Sequence, residues 1–450
     1  MAASASIASQ QKAALNSSRD QNENTETLVN EIEDMLERSE PDLFSADCCI
    51  FRVPNHLRRL NEQAFTPEVI SIGPFHHGNK NLETMEKFKV QYFKSFMQRT
   101  KLKVDNLVSS VKDSEGDVRR CYAETIDQRS SNDLAKIILV DASFIIEFFL
   151  RFWLREENHD DYRSLLNSWL WTIIWSDLIL LENQLPFFVI DRLFNLAFES
   201  RPNLCTANSF VQLTFDCFRV ENSQKMSPNK IPDLNIKHFA DLRRTFWLPP
   251  SERIPKRSRK SIENLYSASK LHEAGVEFKV SSSKCLFDLK FKNGVLELPC
   301  LKLENTTDSL YRNLMALEQC YYLNEAYVTD YIVLLDHLIN TPKDVDLLVQ
   351  KGIIVNWIGD SNAVTSLINS LSSGIVYHTT NIHYYDLCED LKTFYEDPRH
   401  LWKASLRHDY FGTPLKTAST TAAVTLLVLT LIQSVCSILS LLLGQKRSKN

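Results

Sequence analysis

Hydrophobic and polar positions along this chain alternate with three different rhythms, and each rhythm predicts a different kind of element. In LETMEKFKVQYFKSFMQR, Met85, Phe88, Tyr92 and Phe96 recur three or four residues apart, which sets them on one face of a helix. The same period carries Leu28, Ile32, Met35 and Leu36 through TLVNEIEDMLERSE and predicts an amphipathic helix docking on the body. Helical patterns return in SIENLYSASKLHEAG, stopped by Gly275, and then in SLYRNLMALEQCYYL, TDYIVLLDHLI and SNAVTSLINSL. Between Cys48 and Gly78 the pattern is different. Pro54, Pro67 and Pro74, with Gly73 and Gly78, interrupt any helical period and predict extended chain and turns across the surface. The β signal lies later, where CLFDLKF and VLELPCL flank Lys292-Asn293-Gly294. Asn-Gly favours a two-residue hairpin turn, and Val276 to Val280 can add a third strand. No period of about 20 to 50 residues repeats, so a solenoid is unsupported.

Three stretches are apolar without a polar face. IILVDASFIIEFFLRFWL, from Ile137 to Leu154, contains Asp141, Glu147 and Arg151; LLNSWLWTIIWSDLILLENQLPFFVIDRLFNL, from Leu165 to Leu196, contains Asp177 and Glu182. A charge at a bilayer centre costs up to about 2.5 to 3.5 kcal/mol, so both read as central helices of a globular core. The third, Ala418 to Leu443, carries no charged side chain, and its most polar member is Gln433. At 1.5 Å per residue it is about 39 Å long, enough to cross a hydrocarbon core of about 30 Å with tilt. The expected class is therefore mainly α. A large helical globular body carries a small β-hairpin or three-stranded insert near 276–301 and one C-terminal transmembrane helix.

Composition changes this picture little. Met1 to Asn24 is rich in Ser, Ala, Gln and Asn, predicting a disordered N-terminus (1–24) without a signal-peptide core. The expected order is then a first helical part (25–248), a basic linker PPSERIPKRSRK (249–260), a second part with the hairpin and helices (261–415), the spanning helix (418–443) and a basic tail (444–450). The basic stretch also admits a nuclear signal or a lipid-contacting patch. With its membrane signal so late, the chain is expected to be single-pass and C-terminally anchored, its body cytosolic. Lys446, Arg447 and Lys449 on the far side argue against that orientation. The ten cysteines include no CxxC pair, which fits reduced thiols. A net charge of −5 leaves no basic footprint for nucleic acid. The lipid bilayer and an unidentified protein are the expected partners.

Candidate chemistry is sparse. The ten glycines form neither GxGxxG nor GxxxxGK[ST], and neither HExxH nor GxSxG occurs, so no catalytic residue, cofactor or metal is assigned. Asp177 and Glu182 are five apart, which on a helix puts them about 140° around the axis from each other. With Asn183 and Gln184, just before Pro186, they form a polar cluster inside the most apolar region. Two roles are open for it: satisfying backbone groups where the proline interrupts a buried helix, or catalysis. His76 and His77 read as surface turn residues. His378, His383 and Cys388 recur every five residues but lack a fourth zinc ligand.

Longer strings carry a resemblance. VPNHLRRLNEQAFTPEVISIGPFHHGNKNLETMEKFK, DLILLENQLPFFVIDRLF, LYSASKLHEAGVEFK, NLMALEQC, KGIIVNWIG and the apolar AAVTLLVLTLIQSVCSILS resemble, in that order, the plant family called domain of unknown function 247. The likeness covers roughly Thr27 to Leu443. It implies a land-plant source and one C-terminal membrane span, but no established activity or site residues. Some grass members look like pollen-side determinants of self-incompatibility, which implies recognition at a membrane. Gly412-Thr413-Pro414-Leu415 departs from the family pattern, in which a tryptophan commonly follows the proline. The expected function is a non-enzymatic, membrane-anchored recognition or signalling protein; the alternative is an enzyme of undescribed class whose cleft is built from dispersed polar residues.

Overall fold

A computed structural model describes residues 27–35, 47–124, 126, 129–154, 168–199, 207, 209–230, 235–249, 253–285, 287–377, 379–400, 402 and 414–447. The N-terminal 1–24, part of the 249–260 segment, His378 and the last three residues lie outside them. Two compact units divide at Cys48. The first contributes a helix over 27–35, in which Leu28, Val29, Ile32 and Met35 are exposed.

The second unit is mainly helical, and its apolar core falls into two large clusters that meet between Phe246 and Trp247. In the first cluster, α1 (Glu83–Thr100) buries Met85, Phe88, Tyr92 and Phe96, the face its periodicity predicts. It packs on α2 (Ser131–Leu154), which is buried over most of its length. The second apolar stretch is two helices, α3 (Ser168–Leu178) and α4 (Phe187–Phe198). Pro186 lacks an N–H and stands at the N-cap of α4, so it starts that helix cleanly. Leu180 to Leu185 between them is non-helical yet buried.

The second cluster packs α5 (Thr307–Cys320), α6 (Tyr327–Leu338), α7 (Pro342–Gln350), α8 (Ser361–Leu371) and α9 (Ile382–Glu396) around two small sheets. β1 (Glu277–Val280), β2 (Lys290–Lys292) and β3 (Val295–Leu298) form the three-stranded insert in the order β1-β3-β2. β2 and β3 are antiparallel, and β1 runs parallel to β3. Their two-residue turn places Asn293 at φ 53° and Gly294 at φ 79°, the positive values a type I′ turn requires. A second sheet was not anticipated from the sequence: β4 (Leu301–Leu303) pairs in parallel with β5 (Ile354–Asn356), within KGIIVNWIG. The basic 253–260 segment is not a free solvated linker. Arg257 is mostly buried and contacts Asp330 and Thr379, while Ser258 and Lys256 make backbone bonds to Thr380 and Ile382.

The last helix, α10, runs Pro414–Arg447. Its stretch Thr417–Ser440 is long and apolar enough to cross a membrane, and none of it is buried against the rest of the chain. Gly444 to Arg447, at the start of the expected tail, continues this helix.

Candidate functional site

The segment from Ile50 to His77 is not only extended chain and turns across the surface: it holds a short helix (Asn55–Arg58) and a 3-10 turn (Glu62–Phe65), and much of it is buried. The rest has few strand or helix partners for its backbone, whose every buried N–H and C=O needs one. Side chains supply them. Asp177, at the end of α3, accepts the N–H groups of Glu68, Val69 and Ile70 at 2.9, 2.8 and 2.8 Å. Asn183 accepts from Ile72 at 2.7 Å and donates to the carbonyl of Ile70 at 2.9 Å. Glu182 accepts the N–H of Val53 at 2.6 Å. Gln184 works locally and across: its amide donates to the carbonyls of Leu178 and Leu180, and its oxygen accepts the N–H of Phe239 at 2.9 Å. The four candidate residues thus lie together along one buried connector. Their side chains diverge, and most of the backbone they satisfy belongs to the 50–77 strap rather than to the chain next to Pro186.

Around Glu182 the cluster reaches the surface. Its carboxylate contacts the guanidinium of Arg58, lies 3.4 Å from Arg52 and 3.5 Å from the His76 imidazole. Burial pushes its pKa up, but hydrogen bonds from His76, Arg58 and Val53 prevail and hold it below the usual carboxylate value. Asp177 has no cation beside it among the described residues, and burial raises its pKa to about 6 against its three backbone donors. His76 is therefore not a simple surface turn residue: its side chain is only 10 % exposed and faces a buried carboxylate.

Two members of this site escape a reading by periodicity. Lys89 sits inside the apolar face of α1 and Asp141 inside α2; their side chains are 0 % and 1 % exposed and form an ion pair. Asp141 also accepts the N–H of Gly73 at 2.8 Å, and Lys89 donates to the carbonyl of Ser71 at 2.7 Å. Burial raises Asp141 to about 6, whereas burial lowers and Asp141 and Glu86 more strongly raise Lys89, so the pair is ionised at neutral pH. The signal was present as two opposite charges, each inside an apolar helical stripe. Gly73 itself is required: at φ +73°, a Cβ there would lie 2.3 Å from the Gln184 carbonyl oxygen.

Further sites are modest. Among the described residues no group of three His, Cys, Asp or Glu side chains is placed to hold a metal. His383 instead bonds the Leu289 carbonyl at 2.8 Å. An open groove of about 460 Å³ between Ser110 and the Phe188–Glu199 face of α4 shares no residue with the cluster.

Comparison with known proteins agrees with the sequence strings. A sequence model of a family described as "Plant protein of unknown function" matches residues 50–429. The UPF0481 protein At3g47200 of Arabidopsis thaliana is 30 % identical over 434 residues, covering 90 % of this chain and 89 % of that protein. The putative UPF0481 protein At3g02645 of the same plant is 23 % identical over 455 residues, covering 80 % of this chain and 84 % of its own length. No solved structure matches the chain.

Proposed function

Given that the chain belongs to the plant family called domain of unknown function 247, we propose that it is a membrane-anchored recognition protein whose helical body presents a fixed surface rather than a catalytic cleft. One observation carries this reading. The polar residues of the candidate site are consumed by backbone groups: Asp177 uses both carboxylate oxygens and Asn183 both ends of its amide on the 50–77 strap, while Gln184 uses both ends of its amide on Leu178, Leu180 and Phe239. A general acid or nucleophile needs a group that is available to a substrate. The exposed, uncharged Thr417–Ser440 helix supports the anchor, and a cytosolic body with an unidentified protein partner completes the proposal.

The test has two parts. The full chain, expressed in plant tissue, is expected to stay with membranes through high-salt and carbonate washes, while a chain ending before Pro414 is expected in the soluble fraction. Release of the full chain by carbonate would refute the anchor. Proximity labelling from the anchored protein should then return a recurrent protein neighbour. If the purified chain instead turns over a small molecule, and Glu182→Gln abolishes turnover in a folded protein, the recognition reading fails.

A further inference from the structure

The start of the strap carries a feature outside the cluster. Ile50 and Tyr122 form a parallel bridge, and the N–H groups of Cys49 and Ile50 both donate to the Cys121 carbonyl, at 2.9 and 2.8 Å. The Ala123 N–H returns a bond of 2.9 Å to the Ile50 carbonyl. This register sets Cys49 opposite Cys121 beside the bridge, and the Cys121 thiol donates to the Asp117 carbonyl at 3.3 Å. Both residues are buried, at 2 % and 6 % exposure, and neither is in a disulfide. A disulfide needs Cα atoms about 4.4 to 6.8 Å apart, and backbones paired in this register run about 4.7 to 4.9 Å apart.

We propose that Cys49 and Cys121 are a disulfide-forming pair, a modification site that fastens the beginning of the strap to the segment after Val118 when a thiol oxidant is present. The chemistry balances with a low-molecular-weight disulfide as oxidant. Each protein sulfur gives up its hydrogen, one S–S bond forms between them, the oxidant's S–S bond breaks, and two small thiols leave with the hydrogens. At rest the Cys121 thiol and burial push the Cys49 thiol well above its ordinary range, so Cys49 stays protonated and reacts slowly. Once formed, the bridge would close the chain from 49 to 121, a loop that contains the whole strap. The strap could then no longer lift from Asp177, Asn183 and Glu182 at its N-terminal end.

The experiment uses the full chain in detergent micelles with Cys48→Ser, which removes ambiguity from the adjacent thiol. Exposed thiols such as Cys300 are first blocked with N-ethylmaleimide, and the folded protein is then held with oxidised glutathione for a prolonged period. Non-reducing proteolysis and mass spectrometry should find the Cys49 and Cys121 peptides joined with loss of two hydrogens. The urea midpoint of the oxidised protein should rise, and reductant should abolish both effects. In Cys121→Ser the linked peptide should vanish and glutathione should leave the midpoint unchanged. Recovery of Cys49 and Cys121 as separately alkylated peptides after unfolding, or linkage of either to a different cysteine, would overturn the proposal.

Discussion

Glu182 has both oxygens engaged: Oε1 takes the Val53 N–H and Arg58, and Oε2 faces Arg52 and His76. Glutamine would point an NH₂ at one of these donor sets, so Glu182→Gln is expected to cost about 1 to 3 kcal/mol at pH 7. The sign with pH follows from the depressed pKa. The carboxylate contributes fully above its ordinary value of 4.5 and loses its contribution as pH falls through the lower folded value. Urea midpoints of wild type and variant should therefore differ most near neutrality and converge below that window; a constant difference would mean that the charge is not what Glu182 supplies. Asp177 behaves oppositely, since burial raises it to about 6 and its ionisation weakens the fold as pH climbs from 3.8 toward that value. Lys89→Met should be more damaging than either, at about 3 to 5 kcal/mol, because it leaves Asp141 buried without its cation. The polar cluster could be seen in the sequence because four polar residues stand within an apolar run. The partners of Asp177, Glu182 and Asn183 in the strap could not, because the backbone groups they take lie more than a hundred positions away, and no local spacing encodes that pairing.

At the scale of elements, the helices were the most legible, because a face such as Met85, Phe88, Tyr92 and Phe96 repeats its own period and needs no distant information. The Asn293-Gly294 turn was equally local. Gly294→Val must hold φ near 79° with a β-branched side chain, and its Cβ would approach the Phe394 ring to 3.2 Å. A loss of about 1 to 3 kcal/mol is expected, read as a lower melting temperature; an unchanged one would refute the strain. The β4–β5 pairing was hidden for the opposite reason. Three-residue strands far apart in sequence leave no alternation to detect, and parallel pairing places the partner beyond three helices, α5 to α7. The strap lies between these cases. Its prolines and glycines marked it as broken chain but not its short helical turns, and its conformation is imposed by side chains of α1, α2, the end of α3 and the 180–185 connector. Gly73→Ala tests this directly, since the new methyl would collide with the Gln184 carbonyl rather than with a mobile side chain. Protease cleavage within 50–77 should accelerate in that variant while the helical circular dichroism signal holds; unchanged protection would mean the strap has another anchor.

Across the whole second unit, the same strap joins the two apolar clusters. Val53, Leu57, Ala64 and Phe65 pack with Leu181, Ala240, Ala316 and Leu317, residues drawn from both sides of the division at Phe246. Polar bonds run beside that contact. Asn313, on α5, accepts the Leu181 N–H at 2.9 Å and donates to the Ala64 carbonyl at 2.7 Å, so one amide grips the connector and the strap together. Arg244 crosses the division as well: its guanidinium bonds Glu318 at 3.0 Å, and Glu318 in turn accepts the N–H groups of Val328 and Thr329 at the start of α6. Such a seam, with a buried ion pair and satisfied amides, predicts that both clusters unfold as one cooperative unit. Hydrogen exchange followed against urea reads them separately, through the amides of α2 in the first cluster and of α6 in the second. In the wild-type chain both sets of amides should report a single urea midpoint. Asn313→Leu removes both bonds and leaves the Leu181 N–H and Ala64 carbonyl short of their partner, at about 1 to 3 kcal/mol for each group that stays unsatisfied. That loss falls on the seam and on neither core, so the two signals should separate in the variant. If they remain coincident at a lower midpoint, the apolar contact of the strap alone couples the clusters, and the polar seam adds stability without cooperativity.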